Sequence, residues 1–160
     1  MAGHDKITKG GARFHAEMNK LKNLQVRVGF QRGKAKGKDH SGKETEVDMC
    51  DIAMFNELGT STSPSRPFMR QSVDKNAEKI NRFMKSQLQR IKNGQATAED
   101  VMKAIGTFQK GLVQKEIRDG EFEPNAPSTI SKKGSSKPLI DTGHMRQSVN
   151  FVICKKGDFD

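Results

Sequence analysis

The histidines are the first residues to consider for chemistry, and they are widely scattered in the sequence. None of them is followed by another histidine or by a cysteine three or four residues later, the spacing that places two metal ligands on one helix face. A zinc or iron site is therefore not expected, and the histidines are interpreted as surface residues. They are His4, His15, His40 and His144.

The stretch LIDTG at residues 139–143 contains the second candidate for chemistry. It resembles the active-site triplet of retroviral-type aspartic proteases, whose mechanism needs two carboxylates that share a proton across a dimer. Those enzymes place the triplet in a nearly all-β barrel, whereas this sequence is mostly helical in pattern. We interpret Asp141 or Thr142 as the N-cap of a short helix instead.

Signatures of other enzymes are missing from the sequence. There is no GxSxG elbow for a nucleophilic serine, and the glycine-rich residues 31–43 lack the GxxxxGK[ST] order of a phosphate-binding loop. The sequence therefore predicts neither an enzyme nor a bound cofactor.

The charge balance points to an anionic neighbour. The chain has 29 Lys and Arg against 19 Asp and Glu, which gives a net charge of +10 and a pI near 9.8. Nucleic acid is the first candidate partner and an acidic protein surface is the second. A basic protein with no anionic partner is the third alternative.

A basic, glycine-rich segment could carry such a contact. Residues 31–45 are predicted to form a flexible loop, because nearly all of them up to residue 43 are glycine, lysine or polar. With no aromatic residue among them, they could contact duplex DNA through charge alone. A solvated loop explains the same composition. The candidate DNA contacts are Arg32, Lys34, Lys36, Lys38 and Lys43.

Length and composition limit the architecture. A chain of 160 residues is expected to form a single domain over residues 1–160, with a modest core because the mean hydropathy is −0.78. Residues 1–10 are expected to be mobile. Cys50 and Cys154 are interpreted as small buried apolar residues in a reducing compartment. No apolar run is long enough to cross a bilayer, so we expect a cytoplasmic protein without a membrane partner.

Period-two patterns predict strands at both ends of the chain. A short helix is predicted over residues 13–21. After it, apolar residues occupy every second position, at Leu24, Val26, Val28 and Phe30. Residues 149–153 alternate in the same way and are expected to pair with the first strand.

Helical periodicity predicts three further helices. The first is a short central helix that ends at Gly59. Its predicted core-facing stripe consists of Val47, Cys50, Met54 and Leu58. Residues 73–91 carry the apolar stripe of one amphipathic helix, which is predicted to begin at residues 67–68 and to run for about seven turns. A capping box at Thr97 and Asp100 begins the next helix, which ends at residues 119–120 and packs on its predecessor as an antiparallel hairpin. The predicted class is α+β, with a small antiparallel sheet, a long helical hairpin and a short central helix.

The corner between the central helix and the next one is unusually rich in turn residues. Gly59 can adopt the left-handed conformation that ends a helix, and Pro64 and Pro67 stiffen the connection. A solvent-exposed Arg66 would suit a simple helical corner. That interpretation leaves the presence of both Arg66 and Arg70 unexplained.

Two stretches in this order resemble a known family. The first runs from NELGT at residues 56–60 to RPFMR at residues 66–70, and the second from APSTI at residues 126–130 to PLIDTGHMRQS at residues 138–148. Both are similar to signatures of tailed-bacteriophage neck proteins, also called tail-completion, tail-to-head joining or virion morphogenesis proteins. With the flanking strands, the resemblance covers most of the chain.

The resemblance implies a structural virion protein at the head–tail junction, assembled in the host cytoplasm. The subunits would form a ring, expected to be hexameric, that terminates the tail and joins it to the DNA-filled head. Its partners would be other copies of itself, a head-side connector protein, the tail tube protein and, without sequence specificity, genomic double-stranded DNA. The residues that match the motifs, and that the resemblance places at the subunit interface, are Glu57, Gly59, Arg66, Pro67, Phe68, Arg70, Asp141, Thr142, Gly143, Met145 and Arg146. A nucleic-acid-binding protein of the cytosol and a connector ring nearer the portal remain alternatives.

Overall fold

The computed structural model describes residues 8–39, 41–134, 136–139 and 143–158. Within these ranges the protein is a mixture of helix and strand, 55% helical and 14% strand, which confirms the predicted α+β class. The elements in chain order are α1 (Lys9–Lys22), β1 (Leu24–Gly29), β2 (Lys36–Lys38), β3 (Glu44–Asp48), α2 (Met49–Leu58), α3 (Phe68–Asp74), α4 (Ala77–Lys92), α5 (Ala98–Asp119), α6 (Pro127–Lys133), α7 (His144–Ser148) and β4 (Asn150–Lys155).

The strands of the described chain form two antiparallel two-stranded sheets. The pairing of β1 with β4 confirms the predicted association of the first and last strands. At one end of this pair, the Lys156 N–H donates to the Asn23 carbonyl at 2.8 Å. The second sheet, of β2 and β3, was not predicted from the sequence.

The expectation of a loop over residues 31–45 is wrong where β2 and β3 form. Lys36 pairs with Asp48 and Lys38 pairs with Glu44. Gly37, between the two lysines of β2, is buried, and a Cβ atom at this position would overlap the side chain of Ile52. The segment therefore forms a strand because glycine allows its backbone to approach α2 closely.

Helix α2 buries a different side from the predicted one. Its buried residues are Met49 and Ala53, whereas Met54 and Leu58 of the predicted stripe are exposed. Val47 belongs to β3 and is exposed as well. Because the helix is apolar on more than one side, the spacing of its apolar residues did not determine which side faces the core.

The predicted seven-turn helix is divided into α3 and α4. Asn76 donates its backbone N–H to the Val73 carbonyl at 3.1 Å, and its side-chain amide donates to the Ser72 carbonyl at 2.9 Å. That carbonyl would otherwise accept the N–H of residue 76 in a continuous helix. The asparagine side chain thus replaces a helical bond and ends α3.

Local signals at the ends of α4 and α5 are confirmed. Helix α4 ends at Lys92 before Gly94, which has a φ of 71°. The Asp100 carboxylate accepts the Thr97 N–H at 2.9 Å, and the Thr97 hydroxyl accepts the Asp100 N–H at 3.2 Å, so the capping box forms. Phe83 stacks on Phe108 with ring centroids 4.1 Å apart, as expected for an antiparallel hairpin.

The chain divides into two compact units, each with its own apolar cluster. The first unit comprises Met1–Arg27, Glu78–Phe108 and Val152–Asp160, and its cluster is centred on Ile91, Ala96 and Val101. Of the N-terminal segment expected to be mobile, residues 1–7 lie outside the described ranges. Residues 9 and 10 are already helical, because the Thr8 side chain caps α1 by accepting the Gly11 N–H at 3.1 Å.

The second unit comprises Val28–Ala77 and Gln109–Phe151. Its cluster contains Met49, Ala53, Phe68, Val113, Ile117, Leu139, Met145 and Val149. Both sequence motifs therefore contribute to this cluster, through Phe68 of the first and through Leu139 and Met145 of the second.

Candidate functional site

The first motif joins α2 to α3 through the side chain of Glu57. Its carboxylate accepts the backbone N–H of Met69 at 2.8 Å and that of Arg70 at 3.1 Å. Residue Pro67 precedes α3 and offers no side-chain cap of its own. Glu57 therefore supplies both hydrogen bonds and negative charge to the N-terminus of α3.

Gly59 ends α2 in a conformation that requires glycine. Its φ of 78° and ψ of 173° lie outside the left-handed helical region that the sequence predicted, although φ is positive as expected. A Cβ atom here would lie 2.8 Å from the Ser65 nitrogen. Both the backbone angle and the close approach of the loop exclude a larger residue.

Arg66 is buried and bonded within the chain rather than solvated. Its guanidinium donates to the Glu123 carbonyl at 3.0 Å, to the Pro124 carbonyl at 3.4 Å and to the Asn125 side-chain oxygen at 3.1 Å. Burial lowers the pKa of Arg66, and the nearby Glu123 carboxylate opposes that shift. The arginine thus fixes the connection between α5 and α6 against the corner.

Phe68 is fully buried and meets Phe30 edge-on, with ring centroids 6.0 Å apart. Arg70 is exposed and Pro67 is half-buried. Within the first motif, the structure gives Glu57, Arg66 and Phe68 roles inside the subunit. An interface role for the motif stays a prediction, and its exposed side chains include Leu58 and Arg70.

Residues 126–130, 138, 139 and 143–148 of the second motif are described, whereas Asp141 and Thr142 lie outside the described residues. The N-cap position of α7 is Gly143, with a φ of 73°, so it is neither Asp141 nor Thr142 as the sequence suggested. Met145 is buried, and the Arg146 carbonyl accepts the Gln114 amide at 3.1 Å. This motif also serves the packing of the second unit.

A cavity of about 410 Å³ brings the two motifs together. Arg66 of the first and His144 of the second both line it, together with Asn125 and Lys133. The described lining residues include no carboxylate and no cysteine. Much of the polar lining already bonds to backbone, as Lys133 does to the Pro138 carbonyl at 3.2 Å. Arg66 and Lys133 therefore hold neighbouring backbone segments around the cavity.

The predicted DNA-contacting residues lie in a region with little excess charge. Arg32 makes a two-point ion pair with Asp51, at 3.0 and 2.5 Å, and Lys36 lies 3.8 Å from Glu46. Lys34, Lys38 and Lys43 are exposed. Residues 31–51 contain five acidic and five basic side chains, so the segment has no net charge.

The outer side of α2 is a surface that sequence reasoning missed. It exposes Met54, Phe55 and Leu58, with 72% of Leu58 accessible, and Val47 is exposed just before the helix. Beside it lies a groove of about 260 Å³ lined mainly by apolar side chains, Phe30 and Met69 among them. We call Val47, Met54, Phe55 and Leu58 the α2 face. The spacing of Val47, Met54 and Leu58 predicts an apolar stripe, but it does not distinguish a stripe that faces the core from one that is exposed.

The described residues include no group of three or more His, Cys, Asp or Glu side chains suited to a metal ion. No helix among them is long and apolar enough to cross a membrane. Cys50 and Cys154 are both free and half-buried.

Comparisons with protein families, curated proteins and solved structures found no match to this chain.

Proposed function

We propose that this protein is a structural subunit of a tailed-phage virion, a ring-forming neck or tail-completion protein at the head–tail junction. The α2 face is the observation that carries the proposal, because it leaves four large apolar side chains exposed in the single chain. Exposed apolar surfaces of this kind mark sites of protein association. The two motifs and their order indicate which assembly it serves.

The occupant of the α2 face is proposed to be a second copy of the same chain. A subunit with a net charge of +10 is repelled by its copies, so stable association needs contact surfaces with little net charge. Residues 31–58, which contain the α2 face, carry six acidic and five basic side chains, a net charge of −1. This region can therefore approach another copy without the penalty that the chain as a whole would impose.

A head-to-tail contact repeated by rotation closes into a ring, for which we propose six copies. The ring would terminate the tail, contact the tail tube on one side and a connector protein on the other, and surround the path of the genome. The motif residues then have an indirect role, because the bonds of Glu57 and Arg66 hold α2 in the orientation that exposes its outer side. No catalytic step belongs to this function.

The proposal is tested by electron microscopy of lysates from a phage that lacks this reading frame. Full heads beside separate, finished tails are the expected result. Tails of uncontrolled length would instead assign the protein chiefly to tail termination. Intact infectious particles would refute the neck role, and a connector ring nearer the portal would be indicated if heads failed to retain DNA.

A further inference from the structure

The positive charge of this protein is concentrated in the first unit. Its three segments contain 14 basic and seven acidic residues, a net charge of +7. The larger second unit contains 15 basic and 12 acidic residues, a net charge of +3. The predicted basic loop belongs to the second unit, so it does not account for the excess.

Helix α4 contributes most to this concentration. It carries five basic side chains and a single acidic one, Glu78. All five basic side chains are exposed, whereas the buried residues of the helix are Gln87 and Ile91. We call this set the α4 basic face. It consists of Lys79, Arg82, Lys85, Arg90 and Lys92.

The spacing of these residues arranges them as a row. Arg82, Lys85 and Lys92 are separated by three and seven positions, so they project from one side of the helix. From Lys79 to Lys92 the row extends over about 20 Å at the helical rise per residue. That length suits contact with several successive phosphates of a nucleic-acid strand.

Two carboxylates of the first unit are bonded mainly to groups outside the row. Glu17 is occupied by the Ala98 N–H at 2.7 Å and by the Lys20 ammonium at 3.0 Å. Asp100 is held chiefly by its capping box with Thr97, and attraction to Arg90 contributes less to the lowered pKa of its carboxyl. None of the ion pairs found among the described residues involves α4.

Two further contacts of basic residues on α4 do not neutralise their charge. Arg90 donates to the Gln87 side chain at 2.9 Å, and Lys79 lies 5.7 Å above the Phe108 ring. Both partners are uncharged. Helix α1 adds the exposed Lys9, Arg13 and Lys22 to the same unit, and Arg13 donates to the Gly94 carbonyl at 2.7 Å.

We propose that the α4 basic face binds the phosphate backbone of double-stranded DNA. Stacking on single-stranded bases does not fit, because the chain has no Trp or Tyr, and Phe83 and Phe108 stack on each other instead. The binding is expected to be independent of sequence, since the basic side chains suit phosphate oxygens and the amide of Gln89 on the same side already donates to the Asn93 side chain at 3.2 Å. The inference concerns the single chain and does not require ring formation.

The test is the affinity of the full chain for a short fluorescent DNA duplex of random sequence, measured by anisotropy over a series of salt concentrations. One variant combines Arg82→Gln, Lys85→Gln and Lys92→Gln. Its matched control combines Lys34→Gln, Lys38→Gln and Lys43→Gln, which removes the same charge from the second unit. Circular dichroism establishes that both are folded.

Wild-type affinity is expected to fall steeply with salt. The α4 variant should reduce the slope of log affinity against log salt by about 2.7, since each lost phosphate contact removes about 0.9. The control should change this slope by less than about 0.9, the contribution of a single phosphate contact. Adding charge with Glu78→Lys should strengthen binding, which tests the same face without removing any contact.

Absence of wild-type binding would overturn the proposal. It would also be overturned by equal losses in the two triple variants, which would reflect net charge alone, or by a larger loss in the control. None of these results bears on the neck role, which depends on the lysate phenotype.

Discussion

Glu57 and Arg66, two charged residues of the corner between α2 and α3, both bind backbone groups of their own chain. Glu57 holds the N-terminus of α3, and Arg66 holds the carbonyls at residues 123 and 124. Removing either one leaves polar backbone groups unpaired, which costs more than the loss of an exposed charge. Their value to the protein is thus a fixed geometry at the corner.

Replacing Arg66 should destabilise the protein strongly. Arg66→Ala removes three hydrogen bonds and is expected to lower the free energy of unfolding by roughly 2–3 kcal/mol. The matched control is Arg70→Ala, which removes the same charge from an exposed side chain and should change stability by less than about 0.5 kcal/mol. Urea denaturation measures both. Equal midpoints for the two variants would show that the buried Arg66 contributes no more to stability than the exposed Arg70.

Glu17 should make stability depend on pH. Hydrogen bonds from the Ala98 N–H and from Lys20 lower the pKa of its carboxyl group in the folded protein. The unfolded chain therefore binds this proton more readily, so the stabilisation is complete above the ordinary glutamate pKa and is lost as pH falls through the lowered value.

Glu17→Gln is thus expected to be less stable than the wild type at neutral pH and to lose less stability on acidification. Urea midpoints measured from neutral to acidic pH follow the difference. Glu121→Gln, at an exposed loop position, is the control and should keep the wild-type pH dependence. Parallel curves for wild type and Glu17→Gln would contradict the assignment.

At the scale of elements, short-range signals in the sequence predicted the structure well. The capping box at Thr97 and Asp100 and the glycines that follow α4 and α5 act within a few residues, so they could be read directly. The division of α3 from α4 arises because the Asn76 side chain replaces a helical hydrogen bond. The periodicity of apolar residues gives no sign of such a bond, so it predicts one continuous helix.

The candidate site was harder to predict than the elements. The partners of Arg66 lie 57 to 59 residues away, and spacing along the chain cannot identify them. The core side of α2 depends on contacts with Phe68 and Met145 rather than on its own pattern, since Ala53 and Met54 are adjacent apolar residues that face opposite environments. Contacts between residues distant in the sequence therefore determine both the partners of Arg66 and the side of α2 that faces the core.

The β2–β3 sheet gives a prediction that compares two glycines. In Gly37→Ala the new methyl group would meet Ile52 and the Thr45 hydroxyl, so stability should fall by roughly 1–3 kcal/mol. Gly111→Ala lies within α5 with open space around it and should raise stability by about 0.5–1 kcal/mol. Thermal and urea unfolding measure both changes. A neutral Gly37→Ala would indicate that α2 and β2 do not pack closely.

For the whole molecule, most of the positive charge and the α2 face lie in different parts of the chain. The first unit carries most of the positive charge, whereas residues 31–58 combine a net charge of −1 with the exposed α2 face. This separation would let one protein contact its own copies and DNA through different surfaces. Loss of either contact should then leave the other intact.

The α2 face gives the prediction for assembly. A variant with Met54→Glu and Leu58→Glu places two charges on exposed positions, so the isolated chain should fold with a helical content like that of the wild type. The same charges would be desolvated in contact with another copy, which should prevent association. In a phage lacking the gene, the variant is expected not to restore joined particles.

The control for this variant is Leu88→Glu, which adds a charge at a similarly exposed apolar position of α4. It should restore joined particles, because Leu88 does not belong to the α2 face. Light scattering of purified complexes, where they form, should show the same contrast in mass. Full complementation by the α2 variant would exclude the α2 face as a subunit contact, and failure of both variants would show that assembly responds to added charge rather than to this face.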